Sequence, residues 1–457
     1  MPSLGSLLEI AKTGLITQQK AMNVTAHNIA NASTEGYSRQ RVMFNGLPAL
    51  RMEDGVYGNG VTIDSISAVI DPLLERSHRR EISNASGHGT RADMLRRIEG
   101  LLGEPSEFGL SAALDAFYSA WSDLATSPTS STIRASVRQE TVNLAGKFNE
   151  IASGLDAFRQ EVEGRMTAEV VEINSILEGI ADINRQIVTQ ETGGGSASDL
   201  RDARGRLINQ LSESIPIETR EQPNGSMMIR SSGVGLVDGV YPATVELRQS
   251  GGVLSLGTTA GTSLSPTSGA LNSLMQVANV DIPGMRQTLD DLAETIVTEV
   301  NTSHALGTSP AGTTGVDFFD PAGTTATSIN LSADVLASLD AIAAGTPDGL
   351  GAYRGGANDV ALTIAGLRDL DIPAFGATIG EYFSGLVFDV GQGVRSSSDA
   401  ADVHTTLADQ ANIRRMGLSG VSVDEELVRM IEFQTAYQAS ARVVSTADEM
   451  LQSLLTM

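Results

Sequence analysis

The chain lacks cysteine altogether and holds one tryptophan. Without thiols it has no disulfide, no thiolate metal site and no cysteine nucleophile. Aromatic residues make up only 4%, which leaves little stacking surface for bases or sugars. Basic residues are scarce too: 31 Lys and Arg against 55 Asp and Glu, a formal charge of -24 over 457 residues. Such a surface repels phosphate backbones and argues against nucleic-acid binding. No run approaches 18 apolar residues, so no membrane-spanning helix is expected. The first residues carry no basic stretch followed by an apolar core, so no Sec-type signal peptide is expected. Taken alone, this predicts a cytoplasmic protein, or one exported without a cleavable signal. Apolar residues still reach 41%, enough for a large core in two to four domains.

Catalytic patterns are also missing. The five histidines, His27, His78, His88, His304 and His404, include no i,i+4 pair and no H-E-x-x-H. There is no nucleophile elbow, no phosphate-binding loop of the G-x-x-x-x-G-K type and no calcium loop. The glycines between Gly55 and Gly60 lack the strand-turn-helix context of a phosphate site and read as turns. Acidic clusters such as Glu161/Glu163 read as solvated helix faces. The sequence therefore predicts no enzyme, no cofactor and no metal.

What is present is helix at both ends. Residues 3–31 repeat apolar or small residues at alternating spacings of four and three: Leu4, Leu8, Ala11, Leu15, Gln18, Met22, Thr25 and Ile29. That is a heptad seam with polar breaks. A turn-rich run from Asn28 to Gly36 stops it. Residues 37–66 look extended. Asp71-Pro72 starts a helix to Leu102, and further helices are expected over 109–125, 129–191 (stopped by Gly193 to Gly195) and 198–214. Alternating residues and turn pairs over 215–258 predict an antiparallel β insert. Helix returns over 269–305, residues 306–360 read as long surface loops, and helix resumes over 374–416. A last helix spans 422–455. Ser422 and Glu425 form its expected capping box. Its seam is Leu427, Met430, Gln434, Tyr437, Ala441, Val444, Asp448, Leu451 and Leu455.

The expected fold is mainly α with a small β insert. Terminal helices (1–66 and 417–457) form an inner coiled-coil domain. Residues 67–214 and 266–416 form a central long-helix bundle, and 215–265 one outer antiparallel β domain. The simplest role for each terminal helix is packing on the central helices; pairing with each other or with other subunits is the alternative.

Two sets of residues carry a resemblance. The run Asn28-Ile-Ala-Asn-Ala-Ser-Thr-Glu-Gly-Tyr37 resembles the N-terminal signature of the rod, hook and hook-associated axial proteins of the bacterial flagellum. Its continuation, Ser38-Arg-Gln40, is closest to the hook-associated protein 1 branch. Ser419 to Leu427, Phe433 to Gln438 and Ser445 to Met450 are similar to the C-terminal helix of the same family. The segments Pro128–Arg138, Asn301–His304 and Gly315–Phe319 also resemble it. The chain is shorter than many such proteins, and its one β insert implies that a second outer domain is missing or reduced.

The resemblance implies a structural adaptor between hook and filament, a homo-oligomeric ring meeting hook protein on one side and hook-associated protein 3 on the other. It implies flagellar type III export, a cytoplasmic chaperone on the C-terminal helix, and residence in the flagellum outside the cell. A hook or distal-rod subunit is the alternative within the family; a cytoplasmic coiled-coil scaffold is the alternative outside it. Subunit contacts are expected from Asn28, Asn31, Thr34, Gly36, Tyr37, Arg39 and Arg41. Seam packing and chaperone contact are expected from Leu4, Leu8, Leu15, Met22, Ile29, Leu427, Met430, Tyr437, Val444 and Leu451. Polar seam positions should weaken isolated pairing and keep the termini threadable during export. Residues 1–60 hold five basic residues against four acids, so the negative charge lies in the remainder.

Overall fold

A computed structural model describes residues 4–34, 36–52, 55–193 and 197–456. Glu35, Glu53, Asp54, Gly194 and Gly195, which the sequence reading used, lie outside them.

Helix α1 (Leu4–Ala30) leads into a β ribbon. Strands β1 (Gln40–Gly46) and β4 (Val61–Ala68) pair antiparallel, with β2 (Leu50–Met52) and β3 (Gly55–Tyr57) as a second hairpin between them. Helix α2 (Pro72–Leu102) starts where Asp71 accepts from the Leu73 amide at 2.8 Å, with proline at its first position. Gly103, at φ 63°, ends it in the left-handed conformation that glycine tolerates. Three more helices follow: α3 (Leu110–Thr126), the 62-residue α4 (Ser131–Thr192) and α5 (Ser198–Ser214).

The β insert consists of two antiparallel sheets. One contains β5 (Glu218–Glu221), β6 (Met227–Ser231), β7 (Val234–Asp238) and β8 (Tyr241–Pro242) in that order. The other contains β9 (Val245–Ser250), β10 (Val253–Thr258) and β11 (Ser263–Leu264), with β10 central. Then come α6 (Ala270–Gln276), a π-helical turn (Val277–Asp281) and α7 (Ile282–Ala305). Pro283 in the first turn of α7 explains the π turn. In an α-helix its ring would meet the carbonyl four residues back, and the wider turn relieves this. Short α8 (Ala333–Ala337) and α9 (Asp359–Gly366) precede α10 (Ile379–Ser419) and α11 (Val423–Leu455).

The core takes eight of the nineteen aromatics. Trp121, Phe117, Phe148, Phe318, Phe319 and Phe383 are fully buried. Trp121 meets Phe318 edge-on at 4.9 Å. This corrects one expectation: 306–360 is not surface loop. Phe318, Phe319, Ile329, Leu331 and Ile342 of that segment are buried. His304 anchors it. The Ala343 amide donates to its Nε2 at 2.9 Å, so Nδ1 carries the proton and donates to the Val316 carbonyl at 2.7 Å. Burial pulls this imidazole down from its ordinary value to about 4, so it is neutral at pH 7.

One device recurs at four places where extended chain meets helix. A helical asparagine offers its amide to both backbone groups of a single residue, completing a ladder rung that no strand supplies. Asn174 does this to Val245, Asn279 to Leu254 and Asn184 to Met227, fastening the β insert to the helices. Asn301 accepts from the Phe318 and Phe319 amides and donates to the Phe319 carbonyl. Asn184 also accepts from the buried Arg204, whose pKa burial lowers to about 10.

Candidate assembly junction between the chain termini

Helices α1 and α11 pack against each other, as paired terminal seams require. Ala11 and Thr25 of the expected frame are buried, but the other buried positions of both helices lie one residue before the expected ones. In α1 the buried residues are Ala11, Thr17, Ala21, Thr25 and Asn28; Leu4, Leu8, Leu15, Met22 and Ile29 flank them, half-buried. In α11 Glu426 and Ala447 are buried, while Met430, Val444 and Leu451 are half-buried. Leu427 and Tyr437, expected in the seam, are 45% and 36% exposed. The reason is size. A side chain on Gly14 would come within 3.0 Å of Ser440 Oγ, so the backbones approach along a stripe of Ala, Gly, Ser and Thr. The larger apolar side chains are displaced to the edges, and Phe44 of β1 meets Phe433 edge-on at 6.0 Å.

At one end of this pair the two termini are tied together through Asn28, which is 1% exposed. Its amide donates to the Gln40 carbonyl (2.9 Å) and to Glu426 Oε2 (2.9 Å). Its Oδ1 accepts from the Gln40 amide (3.0 Å) and from the Tyr37 hydroxyl (2.8 Å). This is a fifth asparagine clamp, with a carboxylate added. Glu426, beyond water's reach, is compensated by Arg39 Nε at 2.8 Å, while Arg39 Nη2 reaches Glu425 at 2.9 Å. The Arg39 amide donates to the Ser419 carbonyl at 2.8 Å. Glu425 therefore does not complete the expected capping box. Ser422 accepts from its amide, but the Glu425 carboxylate turns to Arg39. The reciprocal box occurs instead at the start of α10, between Thr378 and Glu381.

The same loop grips α5. The Ser38 amide donates to Asp202 (3.0 Å) and the Gln40 side chain to Asp199 (3.0 Å). Burial raises the Asp202 carboxyl above its ordinary range. Burial, then Asp199, Asp202 and Glu426, push the Tyr37 phenol far up, so it stays a donor. Asn31 and Thr34 hold the turn itself: Asn31 donates to the His27 carbonyl, and Thr34 to Asn31. Gly36 sits at φ 74°, and a side chain there would meet Arg206 Cγ at 3.0 Å.

Within the chain Tyr37 bonds Asn28 and Arg39 bonds Glu426. Arg41 is exposed and pairs with no described residue. The sequence reading missed Glu426, Asp199 and Asp202, whose partners lie far away in the chain. Two of the five histidines meet elsewhere, between α2 and α10. His88 stacks on His404 at 5.4 Å, and His404 Nδ1 lies 2.7 Å from Glu81. Among the described residues no group of three or more His, Asp or Glu is placed to hold a metal ion. No described helix is long and apolar enough to cross a membrane.

Comparison with known proteins agrees with this arrangement. A family model described as the flagellar hook-associated protein FlgK helical domain matches residues 95–319. A flagella basal body rod protein model matches residues 8–37, and a flagellar basal body rod FlgEFG protein C-terminal model matches 416–457. Flagellar hook-associated protein 1 of Bacillus subtilis is 28% identical over 98% of this chain and 97% of its own length. Along nearly its whole length the chain is similar to flagellar hook-associated protein 1. The relative from Salmonella typhimurium is 26% identical over 74% of the chain, which spans 63% of that protein. The solved hook junction protein FlgK from Burkholderia pseudomallei shares the fold, with a TM-score of 0.67 at 14% identity over 75% of the chain and all of the solved one. The two segments matched by rod-protein models, 8–37 and 416–457, are the ones that the Asn28–Glu426 hydrogen bond joins.

Proposed function

We propose that this chain is a structural subunit of the hook–filament junction, assembling as a homo-oligomeric ring on the hook tip and allowing filament growth beyond it. The carrying observation is the tied pair α1/α11. It unites the two segments matched by rod-protein families and leaves Leu427, Val428 and Ile431 of α11 exposed. Exposed apolar side chains close together on one helix suit contact with a partner. In this reading residues 1–66 and 417–457 are the assembly domain, 67–214 and 266–416 the central helical domain, and 215–265 the outer β insert. Leu427 and Tyr437 meet other subunits rather than α1, and Arg41 meets a neighbour. The hook protein lies on one side and hook-associated protein 3 on the other. Export follows the flagellar type III route, with a cytoplasmic chaperone on α11. A chain without cysteine stays free of disulfides on that path.

Deletion of the gene tests the reading. The expected result is cells with complete hooks, no filaments and flagellin monomer in the medium. Filaments of normal length on the deletion strain would refute it.

A further inference from the structure

A cleft of about 600 Å³ lies between the β ribbon, α2, α5 and the end of α10. Six arginines line it: Arg76, Arg79, Arg201, Arg204, Arg206 and Arg415. A chain with only 31 basic residues in 457 has gathered about a fifth of them around one opening. Three lining carboxylates, Glu75, Asp202 and Glu221, offset them in part. Arg79 and Arg415 are held by Glu75, and Arg201 by Glu191 and Glu221. Arg76 is exposed and pairs with no described residue. Ile66 and Ile70 share the wall. An occupant matching this lining carries carboxylates together with apolar side chains, since guanidinium groups bind carboxylates in charge-assisted, two-pronged fashion.

The chain presents such a surface itself. The first turns of α11 carry Asp424 and Glu425 beside Leu427, Val428 and Ile431, all exposed. Asp424 pairs with no described residue. Cleft and helix start occupy the same level of the molecule. Ser38 lines the cleft, while the next residue, Arg39, bonds Glu425, Glu426 and the Ser419 carbonyl. The helix start cannot enter its own cleft, because Arg39 holds Glu425 and Glu426 from the inner side. Two unlike surfaces at one level, complementary in charge, are what a head-to-tail contact needs, and such contacts close into rings.

We infer that the arginine-lined cleft receives the acidic, apolar first turns of α11 from a second copy of this chain, and that this contact links neighbours around the ring. The inference rests on the ring reading above.

The absence of native cysteine makes the test clean. A chain with Arg76→Cys and Asp424→Cys, incorporated into hooks and treated with a short bis-maleimide, is expected to give covalent dimers and higher ladders. Either single variant should give none. Arg76→Glu should weaken self-association about threefold, as loss of a partly exposed ion pair does, and Asp424→Arg in that background should restore it. Circular dichroism checks that each variant is folded. If the protein reaches hook tips, yet no ladder forms and neither reversal matters, the contact is wrong and the junction reading stands. Cross-linking to a different hook component instead also overturns it, because the occupant is then not a second copy. If the protein is absent from hook tips, both readings fall.

Discussion

Glu425 and Glu426 are neighbours in sequence, both bonded to Arg39, and the structure predicts opposite fates for them on mutation. The Glu425 side chain is 62% exposed, so its ion pair is screened by water and contributes at most about 0.5 kcal/mol. The Glu426 side chain is 2% exposed. Removing it takes the buried acceptor from the mostly buried Arg39 guanidinium, which keeps only the water-exposed Glu425, and one of two acceptors from the Asn28 amide. Breaking a buried, hydrogen-bonded pair in this way costs about 3 kcal/mol. The loss falls on the clamp that ties α1 to α11, because none of its residues belongs to the central hydrophobic core. Glu426→Ala is therefore expected to raise the opening frequency of α1 and α11 by about two powers of ten, and Glu425→Ala by no more than about twofold. Hydrogen exchange followed by mass spectrometry on the full chain reads both numbers from peptides covering residues 4–30 and 423–455. Peptides from α3 and α4 should be unchanged. Equal effects of the two substitutions, or a change confined to the turn around Glu426, would refute the clamp.

Three further outcomes follow from other parts of the fold. The His304 imidazole should titrate near pH 4 by NMR. Its folded pKa lies below the unfolded value of about 6.5, so its contribution is complete above that pH. About 3 kcal/mol is lost as the pH falls to 4. His78 and His88 shift in the same direction through burial, whereas Asp202 and Asp281 shift oppositely, so the site-resolved titration is the check; a His304 midpoint near 6.5 would contradict the buried anchor. Gly87 lets α2 approach Gly269, whose backbone would lie 3.1 Å from an added methyl, so Gly87→Ala should lower stability by about 1–2 kcal/mol in chemical denaturation. Asn174→Ala leaves both backbone groups of Val245 unpaired and should cost about 1–3 kcal/mol, seen as faster proteolysis within 245–258; an unchanged digestion rate would argue against the asparagine clamps.

Local signals explain what was readable in advance. The Asp71-Pro72 start, the glycine stop after α4 and the turn pairs of the β insert are short-range features, and each element stands within a few residues of its expected place. The seam frame of α1 and α11 is only partly legible in sequence, for a physical reason. Periodicity assigns the interface to the largest apolar residues, but here the contact is made by small ones, with Leu427 outside and Glu426 inside. A buried glutamate can be recognised only with its partner, and Arg39 lies 387 residues away. The same holds for Asp199, Asp202 and the clamping asparagines. In sequence they are ordinary polar helix residues, and only the strand or loop placed opposite gives them a role. The segment 306–360 read as loop because it has few regular elements, although Phe318 and Phe319 carry it into the core.

The most direct test of the central claim is immunogold electron microscopy of isolated hook–filament complexes, using antibody raised against the β insert, residues 215–265. The account predicts label confined to a narrow band where hook meets filament. Label spread along the filament, along the hook or only on cell bodies would contradict it.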